Sequence, residues 1–336
     1  MDSIAQVTEA MQVVLTIQAN QIAQETGFVR RTSKLTGSKF AQTVVLTWLA
    51  DPQATYEQLA QTATALGAPI TAQGIDQRFT PEAAKFLQRV LAAAVEQVIQ
   101  AAPVAIPLLQ RFNGVYVQDG TTLALPAELA EEWPGCGNQH QTASAALKVQ
   151  LQFNCSDGHC VHLDLQAGCD SDRSAPMQTA VLPAGALRLA DLGYYALPTW
   201  AAYTQQQVFW LSRFPPQCAV YDEQGVELDL PHLLPRLVGP TYDQSVRVSQ
   251  KHQLPARLVA QRVAPAVAAA RRRKIRADAQ RKGYTPSARS LALCEWVLWL
   301  TNVPLEKLNA DEVVVMARVR WQIELVFKLW KAQGHV

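Results

Sequence analysis

The stretch GVYVQDG (114–120) marks the point where the pattern of the chain changes from helical spacing to strand-like runs. Val115, Tyr116 and Val117 favour extended backbone, glycines flank the run, and it ends on an acid, Asp119. Working outward, LKVQLQFNC (147–155) and CVHLDLQAG (160–168) alternate apolar and polar residues across the turn Ser156-Asp157-Gly158-His159, which predicts a hairpin. ALRLADLGYYAL (186–197) is a second apolar run closed by an acid, Asp191, and QVFWLSRF (207–214) is a further strand candidate. LPARLVAQRV (254–263) reads as a strand on a polar surface. RRRKIRADAQRKG (271–283) reads as a basic helix stopped by Gly283. ARSLALCEWVLWLTNVP (288–304) runs into a buried strand. Asp311 to Ala332 reads as one helix with Val313, Val314, Val319, Ile323, Phe327 and Trp330 on its apolar side. Strands followed by helices, with a basic segment late in the chain, predict an α/β core interrupted by a second module.

Upstream, residues 1–110 read as mostly helical. Phe86, Val90, Leu91, Val95, Val98 and Ile99 fall near helical spacing, and Pro103 ends the run. The tract 55–80 reads as helix, Gly-Ala-Pro turn, helix, with Thr55 and Thr71 as N-caps and Gln58 completing a capping box. Its second helix would present Gln73, Asp76, Gln77 and Arg78, an arrangement suited to a helix-turn-helix as much as to an ordinary helical hairpin. Before it, Arg30, Arg31, Lys34 and Lys39 sit among Ser/Thr hydroxyls suited to phosphate contacts.

The 336 residues are 49% hydrophobic and 17% charged, enough for a real core and too apolar for a disordered tail. No stretch approaches the ~20 apolar residues of a membrane span. The N-terminus carries acids where a secretory signal needs a basic region, so the expected location is the cytoplasm, with the six cysteines as free thiols. The net charge of +2 conceals segregation. Arg247–Arg289 holds twelve Lys/Arg against one acid, whereas Val115–His232 holds thirteen acids against four Lys/Arg. A basic stretch beside an acidic one suits a metal centre flanked by polyanion contacts, and equally a solvated basic helix.

Several chemistries are set aside. The chain has no GxSxG, Walker A, GxGxxG or HExxH. Cys155, His159, Cys160 and His162 straddle one hairpin turn, which is a poor frame for tetrahedral zinc. The carboxylates carry more. Asp119 and Asp191 close apolar runs, where an acid is costly unless paired or metal-bound. Asp170 and Asp172 compete with Asp191, but lie in a Gly/Ser-rich turn. On the last helix Arg320, Glu324 and Lys331 fall within about 40° of one another at ~100° per residue. One face would thus offer a carboxylate and two cations, suited to Mg²⁺ with phosphate alongside, or simply an Arg–Glu surface pair.

The string R-x3-E-x6-K at Arg320, Glu324 and Lys331 resembles the signature of the insertion-sequence-four family of bacterial DDE transposases. QDGTTLALP after the first strand, LADLGYY at the second acid and WLTNVP before the last helix resemble family members too, as do RRTSKLTGSKFAQTVVLTWL and QRFTPEAAKFL. The resemblance covers nearly the whole chain. It implies a ribonuclease H-like mixed-sheet core, a helical N-terminal DNA-binding region (1–110) and a β-rich basic insertion (215–305). The core would be built from 111–214 and completed by the catalytic helix in 306–336. It implies that Asp119, Asp191 and Glu324 are the catalytic acids, holding two Mg²⁺ ions for which Mn²⁺ could substitute. Arg320 and Lys331 would hold transposon-end phosphates. Arg271, Arg272, Arg273 and Lys274 would follow flanking DNA, and Arg30, Arg31, Lys34, Gln77 and Arg78 would contact DNA from the N-terminal region. The implied partners are double-stranded DNA, as terminal inverted repeats and as target, and a second copy of the chain in a synaptic complex; no membrane is involved. The implied activity is metal-dependent cleavage and strand transfer in cut-and-paste transposition. One position departs: the family's tyrosine is Ala317 here. The chain also ends twelve residues after Glu324, which predicts little or no C-terminal pairing extension. Both leave open a remnant that only binds DNA, and a nuclease that hydrolyses without strand transfer.

Overall fold

A computed structural model describes residues 9–31, 33–96, 106–136, 144–215 and 217–334. Val98, Ile99 and Pro103, and most of the acidic N-terminus, lie outside these residues. The chain forms two compact units, one made of 1–104, 157–163 and 325–336, the other of 105–156 and 164–324.

The first unit is helical, as its spacing predicts. A π-helical turn (Val14–Gln18) runs into α1 (Ala19–Glu25), followed by α2 (Gly37–Ala50), α3 (Tyr56–Ala65), α4 (Ala72–Asp76) and α5 (Pro81–Glu96). The helix starts follow from side-chain chemistry. Thr36 accepts from the Lys39 amide, Thr55 and Gln58 form the expected capping box, and Thr71 accepts from the Gly74 amide. Phe28, Phe40, Leu59, Ile75 and Phe86 are buried together, with Phe28 stacked on Phe86 at 4.9 Å. The helix-turn-helix reading of 55–80 needs correction. α4 is only five residues long and gives way at Gln77, because Thr80 caps a new helix by accepting from the Ala83 amide. It is a single turn and no recognition helix.

The second unit is built on one mixed sheet in the order β3-β2-β1-β4-β5-β9-β8-β7-β6. The strands are β1 (Val115–Leu125), β2 (Ala145–Asn154), β3 (His159–Ala167), β4 (Leu187–Ala190), β5 (Phe209–Arg213), β6 (Val220–Tyr221), β7 (Thr241–Val248), β8 (Leu254–Arg262) and β9 (Trp296–Thr301). Of β3, the residues from Asp164 onward belong to this unit. The expected hairpin is present, and β1 pairs antiparallel with β2 but parallel with β4, which is parallel with β5. The fold is thus a mixed α/β core of the expected ribonuclease H-like kind. The strands of the basic segment do not form a sheet of their own. β9 joins antiparallel to β5, and β8, β7 and β6 continue the same sheet outward. β8 is also largely buried, where a polar surface was expected.

Helices cover the two faces. α6 (Leu197–Gln205) lies on one, where Trp200 stacks on Trp210 of β5 at 4.2 Å. α7 (Leu230–Leu233) is a short turn of helix after β6. α8 (Pro265–Lys282) is the basic helix, and Gly283 stops it in the left-handed conformation at φ 71°, a C-cap that any Cβ would strain. α9 (Ala288–Ala292) leads into β9. α10 (Ala310–Val319) packs Val313, Val314 and Met316 against the other face, touching β5 and β8. The single helix expected over 311–332 is in fact two, α10 and α11 (Trp321–Gly334), parted at Arg320. No proline or glycine stands at the break; it falls on the residue that makes two ion pairs.

Candidate active site

Strand register brings the acids together. In the parallel pairs Gln118 lies opposite Ala190, and Ala190 opposite Ser212. The next residue along each strand is therefore Asp119, Asp191 and Arg213, three charged side chains in one row at neighbouring strand spacings of about 4.8 Å. Asp119 does not close its strand as expected: β1 runs on for six more residues, paired with β2. Asp191 follows directly on β4. Successive residues face opposite sides of a sheet, so this row shares its face with Val117, Leu189 and Leu211, under α10.

Arg320 ties Glu324 to the row. Its Nη1 donates to Asp119 Oδ2 at 2.7 Å and its Nη2 to Glu324 Oε1 at 2.8 Å. The side chains are partly sheltered, with 18% exposure at Asp119, 23% at Arg320 and 34% at Glu324. The other oxygen of Asp119 accepts from the Gly120 amide at 2.9 Å. The Asp119 carboxyl nevertheless titrates above the usual range. Burial is the main cause, and the neighbouring charges of Asp191 and Glu324 add to it. The Gly120 amide and Arg320 oppose the shift. Asp119 thus feels the charge of both other acids. Among the described residues, though, no group of three His, Cys, Asp or Glu side chains is gathered closely enough to hold an ion as it stands. The guanidinium of Arg320 fills the gap between two of the acids. Three hard carboxylate donors, with a cation already drawn between two of them, fit a divalent metal of the Mg²⁺ type.

Beside Asp191 opens a cleft of about 580 Å³, whose wall includes Arg213, Arg271, Trp299, Ala317, Arg318 and Arg320. The Arg213 guanidinium sits over the Trp299 ring at 5.8 Å. Partial desolvation and the guanidiniums of Arg271 and Arg320 make its charge harder to hold, while Asp191 favours it. Sequence reading gave no role to Arg213 or Arg318, and met Trp299 only as the first residue of WLTNVP. A signal for Arg213 was present: VYVQ-Asp119, LRLA-Asp191 and FWLS-Arg213 are the same motif, a short run ending in a charge. Ala317 presents only a methyl group to this cleft.

The other expected contacts separate into two places. On α8, Arg271 donates to the Trp296 carbonyl at 3.2 Å, and Arg272 is held by the Leu291 carbonyl and Glu295. Arg273 and Lys274 are exposed. In the helical unit, Arg30, Arg31, Arg78 and Ser33 line one groove of about 630 Å³, where Arg30 lies 3.5 Å from Glu82. Gln77 and Arg78 line an adjoining recess, and Lys34 is exposed on the same loop as Arg31. Lys331 lies farther along α11, in the helical unit. Asp172, the competing acid, accepts from Lys148 Nζ at 3.1 Å and from Gln150 Nε2 at 3.0 Å. Gln150 is two residues from Gln152, which lies opposite Gln118, so Asp172 is engaged on the α6 face, opposite the row of Asp119 and Asp191.

Residues 110–335 match the family model described as Transposase DDE domain. The chain is 25% identical over 335 residues to the transposase of insertion sequence element IS231B from Bacillus thuringiensis subsp. berliner, covering 93% of this chain and 69% of that protein. It is 22% identical over 336 residues to the transposase of element IS1151 from Clostridium perfringens, covering 94% and 71%. Among solved structures, a piggyBac transposase synaptic complex with hairpin DNA aligns over 96% of this chain and 68% of that one, at TM-score 0.45 and 9% identity.

Proposed function

The chain belongs to the transposase DDE domain family, whose chemistry depends on divalent metal, and from that premise we propose a cut-and-paste DNA transposase with Asp119, Asp191 and Glu324 as its catalytic acids. One observation carries the reading: register aligns Asp119 with Asp191, and Arg320 bonds both Asp119 and Glu324. These three acids would hold two Mg²⁺ ions, Mn²⁺ substituting. The metal, when bound, supplies an activated oxygen nucleophile and neutralises charge on the leaving 3′ oxygen.

The chain's own residues do the rest. β1 and β4 hold two carboxylates at adjacent strand positions, and Glu324 closes the set from α11. Arg213, Arg271 and Arg318 line the cleft at Asp191 and neutralise the phosphates of DNA entering it. Arg320 and Lys331 hold element-end phosphates. Arg273 and Lys274 on α8, with Arg271 and Arg272, follow flanking duplex. Residues 1–110 are the element-end-binding region in this reading, with Arg30, Arg31, Lys34, Gln77 and Arg78 as its contacts. Residues 111–214 and 306–336 make the core, 215–305 the basic insertion, and two copies pair the two element ends. Among the described residues no helix is long and apolar enough to cross a membrane, and the working place of this activity is the bacterial cytoplasm, on DNA.

The test is cleavage of a terminal-inverted-repeat duplex in Mg²⁺. Asp119→Ala, Asp191→Ala and Glu324→Ala each abolish cleavage while binding of the duplex persists. Full cleavage by any one of the three removes that residue from the set.

A further inference from the structure

Arg320 holds two carboxylates by the same atoms through which it would grip a phosphate. Nη1 is engaged by Asp119 and Nη2 by Glu324, at 2.7 and 2.8 Å. A guanidinium presents its five donors in one rigid fork, so a phosphate gripped through its Nη1 and Nη2 atoms competes with the two carboxylates that already hold them. The two acids it bonds are also two of the three proposed metal ligands. A dication seated between Asp119 and Glu324 and a guanidinium between the same oxygens exclude each other by charge and by space.

We infer that Arg320 is a positioning residue that occupies the metal's place between Asp119 and Glu324 until DNA phosphate draws it away, so that metal loading and DNA binding promote one another. The inference rests on the catalytic-acid reading above and adds an order to it. In the absence of DNA the guanidinium neutralises Asp119 and Glu324 and competes with metal. When duplex enters, its phosphates offer Arg320 an equivalent bidentate partner, and the carboxylates are released to the metal. Because the coupling is thermodynamic it runs both ways: metal must raise DNA affinity by the factor by which DNA raises metal affinity. The position of Arg320 at the break between α10 and α11 suits this role, since it belongs to neither helix's regular ladder. The benefit to a DNA-cutting enzyme is that the metal site fills with substrate present and stays weak without it.

The experiment is Mn²⁺ binding, followed by electron paramagnetic resonance of free Mn²⁺, with and without a blunt-ended oligonucleotide duplex. Wild type is compared with Arg320→Gln, Arg320→Lys, Arg213→Gln and Asp119→Asn. Without DNA, Arg320→Gln binds Mn²⁺ about tenfold more tightly than wild type, within the usual range of such couplings. Arg320→Lys, which keeps the charge and loses the fork, falls between them. Arg213→Gln removes a cation that faces Asp191 but bonds neither Asp119 nor Glu324, and tightens Mn²⁺ binding by less than Arg320→Gln does. Adding duplex tightens Mn²⁺ binding in wild type by about tenfold more than it does in Arg320→Gln, because the variant has no latch to release. Equal Mn²⁺ affinity in wild type and Arg320→Gln overturns the inference, as does an equal effect of duplex on the two. So does an Arg213→Gln effect as large as that of Arg320→Gln, which would mark a general field. Mn²⁺ binding unaffected by Asp119→Asn overturns the catalytic-acid reading itself, and the inference with it.

Discussion

β1 and β4 carry opposite solutions to buried charge on their two faces. On the α6 face Arg188 is 1% exposed, and its donors go to the side-chain oxygens of Gln118 and Gln178, with the Tyr203 ring 5.3 Å away. Among the described residues none of its hydrogen-bond partners is a carboxylate. Burial pulls the Arg188 guanidinium below its ordinary range, and the nearby tyrosines oppose that. On the α10 face, Asp119 and Asp191 sit at the next register positions, partly exposed, with like charges close enough to raise the Asp119 carboxyl. The first face is closed: neutral amide oxygens accept from the buried Arg188, and Asp172 is already taken by Lys148 and Gln150. The second is open: Arg320 bonds only two of the three acids, and Asp191 faces a cleft lined by Arg213, Arg271 and Arg318 where a ligand can enter. Arginine tolerates the closed arrangement because it keeps its proton even in a dry setting. The open arrangement is what a divalent cation completes.

This division makes a sharp demand on substitutions only a few residues apart. Asp119→Asn keeps the shape of the side chain and removes its charge. Cleavage of an element-end duplex should fall by on the order of 10³-fold or more, equivalent to about 4 kcal/mol, with an unchanged or higher melting temperature. Arg188→Met should do the reverse. It strands the Gln118 and Gln178 oxygens without donors and costs about 3 kcal/mol, read as a lower melting temperature. The cleavage rate per folded molecule should stay within about threefold of wild type. A folded Arg188→Met protein without cleavage would mean that the two faces are not separable in function.

A smaller effect joins the faces at Gly193, in the turn after Asp191. A Cβ there would lie 2.5 Å from Asp172 Oδ2, on the carboxylate that Lys148 and Gln150 hold. Gly193→Ala therefore pushes on Asp172 or on the turn. The expected outcome is a loss of about 1 kcal/mol in stability and about tenfold in cleavage, since a small misplacement of a catalytic group is felt strongly. Asp172→Ala in the same chain clears the space, and recovery of cleavage in the double variant would show that the contact acts by moving the turn.

Much of this was readable in the residues. Apolar runs ending in Asp119 and Asp191, the hairpin, the basic helix with its Gly283 stop and the threonine caps all follow from local rules, and the structure has them. What local rules could not give was anything that depends on partners distant in sequence. The extension of β1 past Asp119 is decided by its register pairs with β2 from Gly120 to Leu125, and its residues Asp119 to Thr122 have no apolar periodicity of their own. The five-residue α4 is ended by the Thr80 cap of the next helix. The break at Arg320 is a tertiary event, made where a guanidinium reaches 201 residues back to Asp119. Arg213 has no local mark except its place at the end of a run; it gains meaning only when β4 and β5 prove parallel and in register.

The basic helix gives the mildest test, and the structure changes which residues should be used. Composition treats Arg271, Arg272, Arg273 and Lys274 as equal members of one charged run. Their surroundings differ. Arg271 caps the Trp296 carbonyl, and Arg272 is paired with Glu295, so both contribute to holding α8 against β9 and the segment before it. Removing them confuses loss of structure with loss of DNA contact. Arg273 and Lys274 are exposed, so their substitution reports on DNA alone. The double variant Arg273→Gln with Lys274→Gln should weaken duplex binding by a few fold near physiological salt. It should lower the slope of log affinity against log salt by about 1.8, since each phosphate-contacting cation contributes about 0.9. The melting temperature should be unchanged. Arg272→Gln should lower the melting temperature and move the slope less, because its charge is already balanced by Glu295. An unchanged slope in the double variant would assign α8 to the solvent, and leave the row of cations at the Asp191 cleft as the main seat of phosphate binding in this unit.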